Sequence, residues 1–251
     1  MVPDKIPRRH LTREEILQSP EYLYLCQPII RDIVQMPDDE EYFNLFLHLE
    51  TWEAPDYIKE VFSYKFGGYD YQNRPIWMVK LGGRPVKDIL DRGEGDLLER
   101  YLWQFAHWGA KSIVARPLEE NPSRRVVVLV DALQVSSLVS YMNGSSKLKV
   151  SSLVSYMNGS TLGFLIRMVR KYRVVSKFLL GLGVGINISK VGTLIVNLLK
   201  PLARKNLKKI ELYTYDNTSW EPRLQEVFGR KKIPDFEGTN RGFYRVVLKS
   251  D

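Results

Sequence analysis

Apolar and polar residues follow two alternating periods along this chain. Short apolar runs of strand length are separated by segments in which apolar residues recur every three or four positions, the spacing of an amphipathic helix. The run 124–131 is apolar almost throughout, as in an interior parallel strand. The predicted strands are 75–81, 124–131, 178–188 and 210–214. The predicted helices are 54–62, 94–114, 161–172, 190–200 and 219–228.

This alternation predicts an α/β fold, with a mainly parallel sheet flanked by helices. A cluster of turn-forming residues at 66–75 precedes the first predicted strand. Residues 1–52 differ from the rest because they are acidic and have helical spacing without strand runs. We therefore predict a small helical N-terminal region over 1–52 and an α/β domain over 53–251.

The helix predicted at 190–200 combines an apolar stripe with a basic end. Its stripe consists of five aliphatic residues on one side, Leu194, Ile195, Leu198, Leu199 and Leu202. Pro201 is expected to kink or end the helix near Lys200. An apolar face beside a cationic one suits a peripheral contact with lipid. The other interpretation is an ordinary helix that packs over a protein core.

Charge is distributed unevenly along the chain. The formal net charge is +8, but the 79 residues from Ala132 to Ile210 contain thirteen Lys and Arg and no Asp or Glu. The concentrated positive charge implies an anionic partner, either a membrane or a nucleic acid. One cysteine excludes zinc fingers, and no aromatic RNA-binding signature is present, so nucleic acid is disfavoured. The candidate membrane contacts are Lys200, Arg204, Lys205 and Lys208.

The first ten residues are polar and basic, unlike a secretory signal. The single Cys26 cannot form an internal disulfide. The apolar window 178–199 is long enough to span a bilayer, but it contains Lys190, and a central lysine costs about 3 kcal/mol on insertion scales. We expect a cytoplasmic protein that visits membranes transiently.

An eleven-residue segment occurs twice. Residues 135–145 and 150–160 are identical, and the copies begin fifteen residues apart. Two copies at so short a period do not form a solenoid. We interpret the repeat as a local duplication or as a splicing or gene-model artefact, in which one copy continues the fold and the other is a surface insertion or helix extension.

Few residues could carry catalysis. The chain has no phosphate-binding Gly-Lys-Ser/Thr loop, nucleophile elbow or zinc-protease helix, and we predict no cofactor or metal. Gly181, Gly183 and Gly185 lack the spacing of a dinucleotide loop, and we interpret them as positions that a ligand or a helix approaches closely. Asp131 lies where α/β enzymes place catalytic carboxylates. The preferred interpretation of Asp131 is a cap on the following loop.

Four segments, in order along 52–240, resemble the CRAL-TRIO lipid-binding domain family of phosphatidylinositol- and tocopherol-transfer proteins. Gly68-Tyr-Asp-Tyr-Gln-Asn-Arg-Pro-Ile-Trp77 is similar to the family's strand entry, and 126–131 resembles its central strand ending in Asp. Asn197-Leu-Leu-Lys-Pro-Leu202, followed by Leu207-Lys-Lys-Ile210, is similar to its gate region. Ile233-Pro-Asp-Phe-Glu-Gly-Thr239 resembles its terminal motif. The N-terminal region looks shortened.

The resemblance implies an apolar pocket between the sheet and the helix 190–200, which would act as a gate. The implied function is intracellular binding of a hydrophobic lipid, of phospholipid, phosphoinositide or isoprenoid type, and its transfer between membranes by a monomer without catalysis. Lys209 matches the family's lysine that reaches the lipid phosphate. The implied ligand-binding residues are Leu194, Ile195, Leu198, Leu199, Leu202 and Lys209.

Two alternative functions remain open from the sequence. One is a membrane or protein adaptor that lacks a pocket and uses the basic surface. The other is an α/β enzyme that uses Asp131.

Overall fold

The computed structural model describes residues Leu49, 52–82, 85–114, 118–133, 159–203 and 208–229 of the 251-residue chain. The strands in these ranges are β1 Phe62–Tyr69, β2 Pro75–Leu81, β3 Val126–Asp131, β4 Leu180–Ile186 and β5 Ile210–Leu212. The helices in these ranges are α1 Asp56–Lys59, α2 Val86–Asp91, α3 Gly95–Val114, α4 Gly159–Lys171, α5 Arg173–Leu179, α6 Lys190–Ala203 and α7 Asn217–Phe228.

The strands form one sheet in the order β1-β2-β3-β4-β5. β1 pairs with β2 in the antiparallel direction, and each later pair of neighbours is parallel. The predicted α/β fold, with a mainly parallel sheet flanked by helices, is confirmed.

Strand β1 corrects the prediction for residues 54–75. The sequence pattern assigned these residues to a helix and a turn cluster, whereas α1 ends at Lys59 and residues 62–69 pair with β2. Phe62, Tyr64 and Phe66 do alternate as in a strand, but two glycines interrupt the pattern. The register shifts between Phe66 and Gly68, and Gly68 has a φ of +96°, which glycine adopts without strain.

The sequential strand order explains where the crossover helices lie. Right-handed β-α-β crossovers that proceed in one direction across a sheet place their helices on the same face, which we call the first face. On this face the side chains of β1 and β2 are buried among those of α3, α4 and α5. Buried members of this core include Phe62, Tyr64, Trp77, Tyr101, Phe164, Val175 and Leu179.

The second face of the sheet is covered by α7. Two rows of buried aliphatic side chains cross β2, β3 and β4 there, and they cluster with Leu224, Val227 and Phe228 of α7. The rows are Ile76, Val127 and Leu182, then Met78, Leu129 and Val184. An ion pair joins α7 to β5, since the Glu211 carboxylate accepts two hydrogen bonds of 2.8 Å from Arg223.

The stretch 161–188 contains a helix that the sequence pattern did not predict. The helix predicted at 161–172 corresponds to α4, but α5 follows it, and the strand predicted from 178 begins at Leu180. Val175 and Leu179 lie one helical turn apart, and both are buried in the first-face core. Packing therefore decides that these residues are helical. The predicted strand 210–214 is also shorter, since β5 ends at Leu212.

The predictions for the N-terminal region, for the repeat and for the terminal motif 233–239 fall on parts of the chain outside the described residues. Of the region 1–52, only Leu49 and Trp52 are described, so its helical character and the domain boundary stay predictions. The repeat copies lie outside as well, apart from Gly159 and Ser160, which begin α4.

Candidate functional site

Helix α6 contains the predicted gate, and it begins at the carboxyl end of β4. Asn187 has a φ of +56°, a left-handed conformation that asparagine tolerates better than most residues. The Ser189 hydroxyl then caps the helix by accepting a hydrogen bond of 3.1 Å from the Gly192 backbone N–H. Because β5 is parallel to β4, α6 must return toward the amino ends of the strands.

Helix α6 does not end near Lys200, as Pro201 had led us to predict. The helix continues to Ala203, two residues past Pro201. Proline removes the hydrogen bond to the carbonyl four residues earlier, but only two residues of α6 follow Pro201, so the loss is confined to the last turn. The predicted gate is therefore a helix of 14 residues.

The apolar stripe of α6 is only partly buried. Leu194 is 45% exposed, and Leu199 is half-buried, as is Val196, which lies outside the predicted stripe. The backbones of Ile195, Leu198, Lys200 and Leu202 lie in α6, but their side chains are outside what the structure describes. The main packing partner of α6 is α4, whereas α3 packs on β2 and β3 and α5 packs on β4. The stripe thus does not serve as a fully buried core face.

On its first face, the end of the sheet formed by β4 and β5 consists of glycines and half-buried aliphatic residues. On the first face, Gly183 and Gly185 of β4 pair with Ile210 and Leu212 of β5. A Cβ atom on Gly183 would lie 3.3 Å from Ile210, and one on Gly185 would lie 3.0 Å from Leu212. The groups that approach Gly183 and Gly185 closely are side chains of β5 and Ile188, not a helix as predicted, and the approach of a ligand stays a prediction.

We call the described apolar residues in the stripe of α6 and in β5, which are consecutive elements of the chain, the α6–β5 site, because they are less buried than the core on the first face. A right-handed crossover from β4 to β5 puts α6 on the first face, the same face as its packing partner α4. The described aliphatic residues of the two elements are half-buried or exposed, whereas the core between β1, β2 and α3 is buried. The site consists of Leu194, Leu199, Ile210 and Leu212.

Lys209 lies directly before β5, and its ammonium group contacts backbone rather than open solvent. Nζ donates hydrogen bonds to the carbonyls of Lys177 at 2.9 Å and Leu180 at 2.8 Å. These carbonyls lie at the carboxyl end of α5, where the helix dipole favours a cation. Burial, and then the neighbouring Arg125 guanidinium, lower the pKa of Lys209. The predicted contact of Lys209 with a lipid phosphate stays a prediction.

The predicted membrane contacts are described only in part. Lys208 is exposed beside Lys209, whereas Arg204, Lys205 and the side chain of Lys200 lie outside the described part of the chain. Among the described residues, no helix is long and apolar enough to cross a membrane. No cluster of three or more His, Cys, Asp or Glu residues that could hold a metal ion occurs within the described ranges.

Asp131 caps the loop after β3, as its preferred interpretation predicted. The residue is 7% exposed, and its Oδ1 accepts hydrogen bonds from the Leu133 backbone N–H at 3.0 Å and from Asn187 Nδ2 at 2.9 Å. Asp131 therefore joins the carboxyl ends of β3 and β4, because Asn187 directly follows β4.

A group of buried polar side chains on α3 is missing from the sequence predictions. Gln104 donates hydrogen bonds of 2.7 Å to the carbonyls of Leu49 and Trp52 and accepts one of 2.9 Å from the Tyr64 hydroxyl. His107 and Lys111, on the same side of α3, are also fully buried. These three residues recur three and four positions apart within an apolar helix face, and this spacing could have predicted a buried polar group from the sequence. The Gln104 bonds anchor the chain at Leu49 and Trp52, away from the α6–β5 site.

No protein-family model matches this chain, and no curated protein sequence matches it. Among solved structures, the crystal structure of Sfh5 is distantly similar, with a TM-score of 0.42 and 12% identity over 83% of this chain and 68% of that chain. The resemblance to the CRAL-TRIO family therefore depends on the four sequence segments, and function is argued from the residues of this chain.

Proposed function

We propose that this protein binds a hydrophobic lipid, of phospholipid, phosphoinositide or isoprenoid type, and transfers it between membranes with α6 as the gate. The α6–β5 site is the observation that carries this proposal, because its aliphatic residues are half-buried or exposed beside an otherwise buried core. An apolar ligand that binds there would bury these aliphatic side chains and be buried itself. Each methylene group that leaves water contributes about 0.8 kcal/mol, so a dry site can offset the removal of an acyl chain from a bilayer.

Two features support an encounter with membranes. Leu194 is exposed on α6, and the surrounding stretch 132–210 contains no Asp or Glu. Exposed apolar residues in a positively charged setting favour contact with anionic lipid surfaces. The proposal places the protein in the cytoplasm, transiently at membranes and as a monomer, and it does not require nucleic acid.

The proposed transfer needs no catalytic group, because binding and release involve no covalent step. The hydrogen bonds of Asp131 to Leu133 and Asn187 account for its position without assigning it a reaction. We therefore propose that the protein is not an enzyme. Turnover of a lipid by the purified protein, abolished by Asp131→Ala, would contradict this part of the proposal.

Native mass spectrometry of the purified full chain tests the proposal directly. The unmodified protein and Ile210→Val should carry a lipid-sized mass and transfer a fluorescent lipid between vesicles. Ile210→Asp should lose both properties, because a carboxylate in an apolar site costs several kcal/mol of desolvation. Circular dichroism must show that Ile210→Asp is folded. If the unmodified protein neither carries nor transfers lipid, the proposed function is wrong.

One observation favours the second candidate, a membrane or protein adaptor without a pocket. The space above Gly185 already contains Leu212 at 3.0 Å and Ile188 at 3.2 Å from an added Cβ, so the protein's own side chains occupy part of the site. An adaptor would bind anionic vesicles while carrying no lipid in native mass spectrometry. Lipid carrying by the wild type, and its loss in Ile210→Asp, would exclude the adaptor.

A further inference from the structure

Three large apolar residues are exposed along one edge of the sheet. Leu133 follows β3 and is 46% exposed, Leu194 lies near the start of α6 after β4 and is 45% exposed, and Tyr215 follows β5 and is 44% exposed. β3, β4 and β5 are adjacent and parallel, so the three residues lie near the carboxyl ends of neighbouring strands. We call them the carboxyl-edge rim.

Hydrogen bonds hold the three rim segments in fixed positions. Asp131 Oδ1 accepts from both the Leu133 backbone N–H and the Asn187 side chain, so it links the segment after β3 to the start of α6. The Ile188 backbone N–H donates a 2.9 Å hydrogen bond to the Tyr213 carbonyl, which links the start of α6 to the segment after β5. Asp131 and Asn187 thus act as positioning residues for the rim.

The charges around the rim suit a lipid surface. Leu133 and Leu194 belong to the stretch without Asp or Glu, and the exposed Lys190 lies between them in sequence. Within the described ranges, the carboxylates next to the rim residues in sequence are Asp131, which is 7% exposed, and the exposed Asp216, which caps α7 by accepting from Thr218. An apolar edge with little exposed negative charge complements the interface of an anionic bilayer.

The cation Lys208 lies at the opposite edge. Lys208 precedes β5, and α6 must run back from the carboxyl edge to reach it. The seven residues of β4 span about 23 Å, and the fourteen residues of α6 span about 21 Å. A flat bilayer that touches the rim end-on is therefore separated from Lys208 by about twice the Debye length of ~10 Å at 0.1 M salt.

We propose that the carboxyl-edge rim docks on phospholipid bilayers, with the parallel strands pointing toward the membrane and Lys208 held away from it. This orientation brings the start of α6 to the membrane surface and leaves the amino end of β5 in solvent. The inference rests on the proposed function, and it names the surface through which the protein meets the membrane.

Fluorescent labels at single cysteines test the orientation. In the full chain with Cys26→Ser, a label is attached at Leu133→Cys, Leu194→Cys or Tyr215→Cys, and vesicles of phosphatidylcholine and phosphatidylserine carry a brominated lipid quencher. The label should be quenched at all three rim positions. It should not be quenched at Tyr71→Cys, an exposed aromatic position in the β1–β2 turn, or at Lys208→Cys.

Charge insertion gives a second measurement. Leu194→Glu and Tyr215→Glu should each weaken partitioning to the same vesicles by about tenfold or more, because each places a carboxylate in the docked interface. Tyr71→Glu is the matched control and should leave partitioning unchanged. Thermal melting verifies that each variant is folded.

Three results would overturn the rim proposal. The first is that labels at positions 71 and 208 are quenched while those at the rim are not. The second is that the rim variants and the wild type partition equally to vesicles. The third is that the protein does not bind vesicles at all. Docking through the amino edge, combined with bound lipid in native mass spectrometry, would reject the rim while leaving the proposed lipid function in place.

Discussion

At the scale of single residues, the Lys209 ammonium joins three elements of this protein. It extends from the start of β5 to the carbonyls of Lys177 in α5 and Leu180 in β4. Asp131 has a similar role at the opposite edge, where one carboxylate oxygen holds the segments after β3 and β4. In the sequence, Lys209 was a candidate for binding phosphate and Asp131 a candidate for catalysis. In the structure, both residues form hydrogen bonds that connect elements of the fold.

Lys209→Ala should therefore lower the free energy of unfolding, because the carbonyls at the end of α5 lose a cationic donor. We expect a loss of about 1 kcal/mol, the net contribution of a typical hydrogen bond, because burial and the Arg125 charge offset part of what the two bonds contribute. Lys208→Ala is the matched control and should change stability by less than about 0.5 kcal/mol, since its side chain is exposed. Urea unfolding followed by circular dichroism measures both values. Equal stability of the two variants would mean that the Lys209 contacts contribute nothing.

The same pair of variants tests the predicted phosphate contact. If Lys209 also binds a lipid phosphate, Lys209→Ala should reduce transfer of phosphoinositide more than transfer of a neutral lipid. A loss of stability alone would reduce the transfer of both lipids. Identical behaviour of Lys208→Ala and Lys209→Ala toward every lipid would argue against a special place for Lys209.

At the scale of elements, α6 and α7 cover the sheet in different ways. α7 buries Leu224, Val227 and Phe228 on the second face and is fixed by the Glu211–Arg223 pair. α6 packs on α4 and keeps Leu194 exposed. Displacing the exposed Leu194 would uncover little buried surface at that position, in keeping with the role proposed for α6 as the gate.

The attachment of α7 should depend on pH. Hydrogen bonds from Arg223 hold the pKa of Glu211 below its usual value, and the Tyr213 hydroxyl acts in the same direction. Because the unfolded pKa is about 4.3, this pair stabilises the fold above that pH and the stabilisation is lost as pH falls through the folded value. Glu211→Gln should lower the free energy of unfolding by about 0.5–1 kcal/mol at pH 7, and by progressively less as the pH falls below about 4.3.

Glu226→Gln serves as the control for this prediction. Glu226 contacts the same Arg223, but its side chain is 61% exposed, against 32% for Glu211. Its substitution should therefore have a smaller effect at neutral pH. Urea unfolding at pH 7 and pH 3 measures all three proteins. A Glu211→Gln difference that does not shrink at low pH would show that the carboxylate charge is not responsible.

At the scale of the whole molecule, the strand order separates the rim from Lys208. The rim lies at the carboxyl edge of the sheet, and Lys208 lies at the amino edge. This separation follows from four consecutive parallel strands, since every crossover connection leaves one edge and returns to the other.

The repeat gives a prediction for the whole chain. Deletion of residues 136–150 removes one fifteen-residue unit and restores a single copy. If one copy is a surface insertion, the shortened protein should melt within about 4 °C of the parent, the shift that ~1 kcal/mol produces at this size. Deletion of 98–112 from α3 is the control of equal length and should prevent folding. A large loss of thermal stability on deleting 136–150 would show that both copies are structural.

The sequence by itself determined the elements whose pattern depends on local spacing. β2 and β3 form where apolar runs of strand length occur, and α3 forms where apolar residues recur at helical intervals. The loop cap by Asp131 was also predictable, because Asp commonly bonds to the backbone two residues later. These features depend on neighbours in the chain, so they can be inferred without knowing the fold.

Tertiary structure alone decided the features that depend on distant residues. Pairing with β2 makes residues 62–69 a strand despite Gly67 and Gly68, and burial of Val175 and Leu179 makes 173–179 a helix. The chain order places Lys209 and Lys177 32 residues apart, yet folding brings the ammonium to that carbonyl. Leu133, Leu194 and Tyr215 become one rim only because β3, β4 and β5 are adjacent and parallel, a relation that no local pattern contains.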